Sequence, residues 1–137
     1  MKRKGFTLIE VMMGLFLLGL VSATVLPIFN TTFMNINKQR QKAEMLYASE
    51  MAIEKLKAYN PQSSVNLYIY NTDVKEIIQL FYDNDRVDVE ISEGGEYTIK
   101  IVKEDKSKFL WFIEVFVYNK DWGNKNHVEL EAYLQKK

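Results

Sequence analysis

The sequence contains no cysteine, two prolines and one histidine among 137 residues. Without cysteine, a disulfide framework, a thiolate nucleophile and a cysteine-held metal are all excluded. The one histidine, His127, has no thiol to join it, and beside a strand it reads as structural or solvent-facing rather than as a metal ligand. Net charge is missing as well. Eighteen Lys and Arg balance eighteen Asp and Glu, which argues against a nucleic-acid surface. The most informative absence is local: no residue between Glu10 and Lys38 carries a charge. From Lys38 onward charges of both signs are frequent, as on a soluble domain. The length suits one modest domain with an extension, not two domains.

Lys2, Arg3 and Lys4 precede the apolar run, an arrangement that superficially resembles a secretory signal peptide. The run itself argues otherwise. From Val11 to Phe29 it covers nineteen residues, near the roughly 20 needed to cross a bilayer and beyond the usual apolar core of a signal peptide. The only small-residue stretch with alanine, Val21-Ser22-Ala23, lies inside the run rather than after it. A membrane span is the better reading.

Lys4-Gly5-Phe6-Thr7-Leu8-Ile9-Glu10-Val11 resembles the cleavage and methylation signature of type IV prepilins and of the pseudopilins of type II secretion and DNA-uptake systems. The resemblance covers about the first thirty residues. It implies that a prepilin peptidase cuts between Gly5 and Phe6 and that Phe6 becomes N-methylated. It also implies that Glu10 pairs with the amino group of a neighbouring subunit's Phe6, setting axial register during assembly. A carboxylate at the edge of an apolar span does need compensation, since burial at a helix centre costs about 2.5–3.5 kcal/mol and less near the interface. The residues alone leave a simpler reading open, in which Glu10 only caps the first helical turn.

Orientation is ambiguous by charge, because Lys38, Arg40 and Lys42 follow the span as Lys2, Arg3 and Lys4 precede it. The cleavage motif, not the charge, puts the carboxyl-terminal domain outside. Gly14, Gly19 and Pro27 interrupt the span. Proline lacks an N–H and its ring opposes the carbonyl four residues back, so a bend near Val25–Pro27 is expected. In filaments of the resembled family the helix unwinds between a glycine and a proline placed like Gly19 and Pro27. Alternatively, the glycines permit close helix packing and the proline only curves the helix.

Beyond Phe29 the period stays helical. Phe29, Phe33, Ile36, Ala43, Leu46, Ile53 and Leu56 form one stripe, widened by Tyr47 and Met51, with charged residues opposite. Asn60-Pro61 ends the helix. Val65–Tyr70 reads as a short strand or extended loop. Thr72 or Asp73 can cap a brief helix with Val74, Ile77, Ile78 and Phe81 on one face. Val87, Val89 and Ile91, then Tyr97, Ile99 and Ile101, alternate as two strands around a Gly94-Gly95 hairpin. Phe109–Tyr118 reads as a central strand. Val128, Leu130 and Ala132 mark the last. The fold class is therefore α+β: a long amino-terminal transmembrane and amphipathic helix packed on a carboxyl-terminal antiparallel meander, pilin-like. The expected parts are a leader at 1–5, a membrane or filament-core helix at 6–29, its amphipathic continuation at 30–60 and a sheet domain at 61–137.

Other candidate sites are weaker. Asp83, Asp85 and Asp88 offer hard oxygens near a turn, where calcium could bind, but they lack the spacing and glycine of a calcium loop and read as turn residues facing water. Trp122, in the polar loop 119–126, can anchor a partner or plug the sheet edge. No residue pattern calls for a cofactor or a catalytic site. The expected function is a structural subunit of a type IV pilus or related filament, a minor pilin by its Val11-Met12-Met13-Gly14 continuation and small cysteine-free domain, with no enzymatic activity of its own. A type II secretion or DNA-uptake pseudopilin is the near alternative, and an uncleaved membrane-anchored ligand-binding module is the alternative of a different class. The implied partners are other pilin or pseudopilin subunits, the prepilin peptidase, an inner-membrane assembly platform, and membrane lipid before assembly. No visible motif binds nucleic acid. The expected location is a single-pass cytoplasmic membrane precursor that passes into a cell-surface or periplasmic filament.

Overall fold

The computed structural model describes residues 7–92, 96–120 and 127–136. The element order is α1 (Leu8–Ala58), β1 (Tyr68–Ile69), β2 (Thr72–Asp73), α2 (Val74–Asp83), β3 (Arg86–Ser92), β4 (Tyr97–Asp105), β5 (Leu110–Asn119) and β6 (His127–Gln135). The chain is α+β, a long amino-terminal helix followed by a four-stranded antiparallel sheet. It divides into two compact units, 1–40 and 41–137, and α1 contributes to both.

In the first unit every described residue is exposed. The helix is continuous through Gly14, Gly19 and Pro27. Its polar side chains fold back on it: Ser22 Oγ donates to the Leu18 carbonyl at 2.8 Å, and Thr31 Oγ1 and Thr32 Oγ1 donate to the Pro27 and Ile28 carbonyls, also at 2.8 Å. Hydroxyls satisfied in this way suit a helix whose surroundings offer no water.

In the second unit the last third of α1 covers the sheet. Its buried face is Met45, Ala48, Ser49, Ala52, Ile53 and Leu56. The expected stripe is thus corrected at Leu46, which is 39% exposed, and at Tyr47, 72% exposed, while Ala43 is exposed as well. Ala48 and Ala52, which carry only a methyl group, are part of this buried face. Lys55 and Lys57 oppose the dipole at the helix end, and Lys55 Nζ donates to the Tyr68 carbonyl.

The Val65–Tyr70 strand shrinks to the two residues of β1, which pair with β2 across Tyr70 and Asn71. Tyr70 takes a left-handed backbone (φ 50°) at this turn. Asp73 is the cap of α2, accepting from Lys75 N at 2.9 Å, and Val74, Ile77, Ile78 and Phe81 are all buried. The sheet runs β3-β4-β5-β6 in sequence order, with β4 and β5 central. Pairs such as Val89↔Ile101, Ile101↔Val115 and Val115↔Leu130 carry one apolar face across it. Ile99, Ile101, Ile113, Val115 and Val117 are wholly buried there, each contributing about 1.5–3 kcal/mol. Trp111 meets Phe81 edge-on at 5.6 Å and Tyr82 at 4.8 Å, fixing α2 against β5. The Gly94-Gly95 turn and Trp122 lie outside the described residues.

A lysine breaks the apolar pattern of the inner face. Lys103, opposite Val87, is fully buried. Its ammonium donates to the carbonyls of Phe81 at 2.9 Å and Asp85 at 3.3 Å, to that of Asn84, and to Asp105 Oδ1 at 2.7 Å. A buried lysine is tolerated because it satisfies the carbonyls left over at the carboxyl end of α2.

Candidate functional site

The start of α1 carries the residues of highest interest. Gly5 and Phe6 lie outside the described residues. Thr7 and Glu10, three positions apart, form a reciprocal cap. Thr7 N and Thr7 Oγ1 both donate to Glu10 Oε2, at 2.8 and 2.9 Å, and Glu10 N donates back to Thr7 Oγ1 at 3.4 Å. The Thr-x-x-Glu spacing before an apolar run is the signature of such a capping box. Thr7 was legible by that rule and is missed when attention rests on Glu10 alone. The carboxylate is exposed, and among the described residues it has no cation partner.

From Leu8 onward α1 is long and apolar enough to cross a membrane. Leu8, Phe16, Leu18, Leu26 and Ile28 are each more than 60% exposed, so the helix presents an apolar surface on all sides. A helix of this kind needs lipid or other helices around it. A Cβ added at Gly14 or Gly19 would meet nothing within 4 Å. No neighbour among the described residues explains either glycine.

The aspartates raised as calcium ligands are dispersed. Asp83 ends α2, Asp85 precedes β3, and Asp88 pairs with Lys100 Nζ at 2.8 Å on the outer sheet face. The carbonyls of their turn converge on the Lys103 ammonium, which already supplies the positive charge. Among the described residues the carboxylates that do gather are Glu114, Glu129 and Glu131, with ligand oxygens within 4.8 Å of one another. They come together only through the β5–β6 register, which no sequence spacing announces. His127 lies nearby, 4.0 Å from Glu129 and in ring contact with Phe116.

Two tyrosines hold carboxylates. Tyr97 Oη donates to Glu44 Oε2 at 2.8 Å, joining β4 to α1. Burial and that bond push the Tyr97 phenol up to about 12. Tyr118 donates to Glu90, and this bond, aided by burial, pushes it up to about 12 as well. A cavity of about 280 Å³ opens between α2 and the sheet, lined by Leu56, Tyr59, Ile78, Tyr82, Trp111 and Leu134.

No curated protein and no solved structure matches the chain. Residues 1–26 match the family described as the prokaryotic N-terminal methylation motif. The chain thus carries, at the head of a free apolar helix, the motif that is the hallmark of type IV prepilins and pseudopilins.

Proposed function

We propose that this chain is a structural subunit of a type IV pilus or related filament, most closely a minor pilin. The observation that carries the reading is the methylation motif at residues 1–26, followed into an apolar stretch of α1 that is exposed at every described residue up to Arg40. The family of that motif is structural rather than enzymatic. A type II secretion or DNA-uptake pseudopilin shares every one of these features, and the preference for a minor pilin rests on Val11-Met12-Met13-Gly14 and the small cysteine-free domain.

In this reading prepilin peptidase cuts between Gly5 and Phe6 and methylates Phe6. Before assembly the helix from Phe6 to Phe29 sits in the membrane with the carboxyl-terminal domain outside. An inner-membrane platform then moves the subunit into a filament on the surface or in the periplasm. Glu10 exchanges its bonds to Thr7 for the amino group of a neighbouring subunit's Phe6. The open space around Gly14 and Gly19 supports close approach by helices of other subunits, and Pro27 supplies a weak point at which the helix can unwind or curve.

The uncleaved, membrane-anchored ligand-binding module keeps one observation in its favour, the 280 Å³ cavity beside Trp111. Mass spectrometry of the membrane-extracted protein, with and without its prepilin peptidase, separates the readings. The expected result is a peptide starting at Phe6 with one added methyl, seen only with the peptidase. A chain still starting at Met1 in the presence of the peptidase would overturn the filament reading.

A further inference from the structure

The strand β6 ends the sheet, and its one strand neighbour among the described residues is β5. Pairing runs without interruption from Leu110↔Gln135 to Tyr118↔His127, so no bulge disturbs it. The nine residues His127–Gln135 include no Lys, Arg, Pro or Gly. Sheets ordinarily protect a free edge with lysine, proline, a bulge or a short strand. Among the described residues this edge has none of those four, and its protection is limited to the charges of Glu129 and Glu131. At the other end of the sheet α2 packs beside β3, and β3 begins with Arg86.

The two faces of the edge differ. On the inner face Val128 and Leu130 pack against the core yet stay only half-buried. On the outer face Glu131 stands directly opposite Glu114, and Glu129 adjoins them. Like charges placed opposite each other weaken a sheet, and the arrangement persists here with His127 as the one cation candidate beside Glu129 among the described residues. The conflict would be relieved by cations delivered along the open side of β6.

A second copy of this chain is a poor source of them. Pairing β6 with β6 sets Glu129 and Glu131 of both copies side by side. Pairing β6 with β3 sets them against Asp88 and Glu90. Charge therefore selects a different protein.

We propose that the free edge of β6 takes up an extended segment of another protein, in which apolar residues alternate with lysine or arginine, as a fifth strand of the sheet. The added backbone satisfies the outward N–H and C=O groups of β6. The apolar residues complete the cover over Val128 and Leu130, and the basic ones neutralise Glu114, Glu129 and Glu131. The inference does not rest on the filament reading, since strand uptake and cleavage after Gly5 are measured separately.

The test uses the full chain in a non-ionic detergent and an alternating lysine–valine heptapeptide, with binding followed by fluorescence anisotropy and by amide hydrogen exchange. Saturable binding with new protection at β6 amides is expected. A peptide of the same composition with its lysines grouped, and an alternating glutamate–valine peptide, should each bind about tenfold more weakly or worse. The Glu129→Lys, Glu131→Lys double variant should lose a similar factor while melting no lower than the parent, because it also removes the conflict with Glu114; this separates lost binding from lost folding. Equal binding of the grouped peptide, protection outside β6, or no binding of the alternating peptide would each overturn the proposal.

Discussion

The ammonium of Lys103 lies 2.9 Å from the Phe81 carbonyl and closes the end of α2 from the middle of the sheet. Replacing it with methionine keeps the apolar stem and removes the charge. The carbonyls of Phe81, Asn84 and Asp85 then lose their donor, and Asp105 loses one of its two cations. Lys103→Met should destabilise the domain by about 2–4 kcal/mol in urea unfolding of the detergent-held chain. Added calcium should leave the midpoint of the unaltered chain where it is, because the ammonium occupies the turn and Asp88 is engaged by Lys100.

Asp105 ties this cluster to the sheet edge, accepting from Lys103 and, at 2.9 Å, from Lys136 in the segment after β6. The hydrogen bond from Lys103, then that from Lys136, holds its carboxyl below the usual range. A depressed folded-state value means the contribution is complete above the ordinary carboxylate range, near pH 4. It is lost as pH falls through the lower folded value. The melting temperature should therefore drop on acidification below about pH 4, more steeply in the parent than in Asp105→Asn, with the two curves converging at the acid end.

The tyrosines reverse the sign. Tyr97 and Tyr118 are each raised to about 12, so the folded state favours the protonated phenol that donates to Glu44 or Glu90. Their contribution is present below the ordinary tyrosine value near 10 and is lost as pH rises from about 10 towards 12. Phenolate absorbance should show a late-titrating fraction that shrinks in Tyr97→Phe. That variant should also lose about 1 kcal/mol at neutral pH.

Some of this was legible from residues alone, and the reasons for the misses are physical. The four apolar positions of α2 and the alternation of β3, β4 and β6 follow from short, strict periods, and all four α2 residues are buried. The buried face of α1 was harder to read. A stripe drawn in steps of seven drifts about 20° per heptad around a straight helix, so it coincides with the sheet-facing side only near Ile53 and Leu56. Ala48, Ser49 and Ala52 are too small or too polar to stand out in such a count. Lys103 and the three glutamates depend on strand register, and register is set by partners far away in the sequence. Thr7 is the opposite case, a local signal written in four consecutive residues.

The cap formed by Thr7 and Glu10 allows the two roles of Glu10 to be told apart. If the carboxylate serves only to start the helix, Thr7→Ala and Glu10→Ala should do similar damage, about 1 kcal/mol of helix stability each. Glutamine can still accept from Thr7 in a capping box, so Glu10→Gln keeps the cap and discards the charge. Under the assembly role, Glu10→Gln should abolish sheared filament while membrane levels of the cleaved subunit stay near the parent's. Thr7→Ala should retain most filament despite its weaker cap. Filament from the glutamine variant at the parent's yield would instead reduce Glu10 to a helix cap, and the register of assembly would have to come from elsewhere in α1.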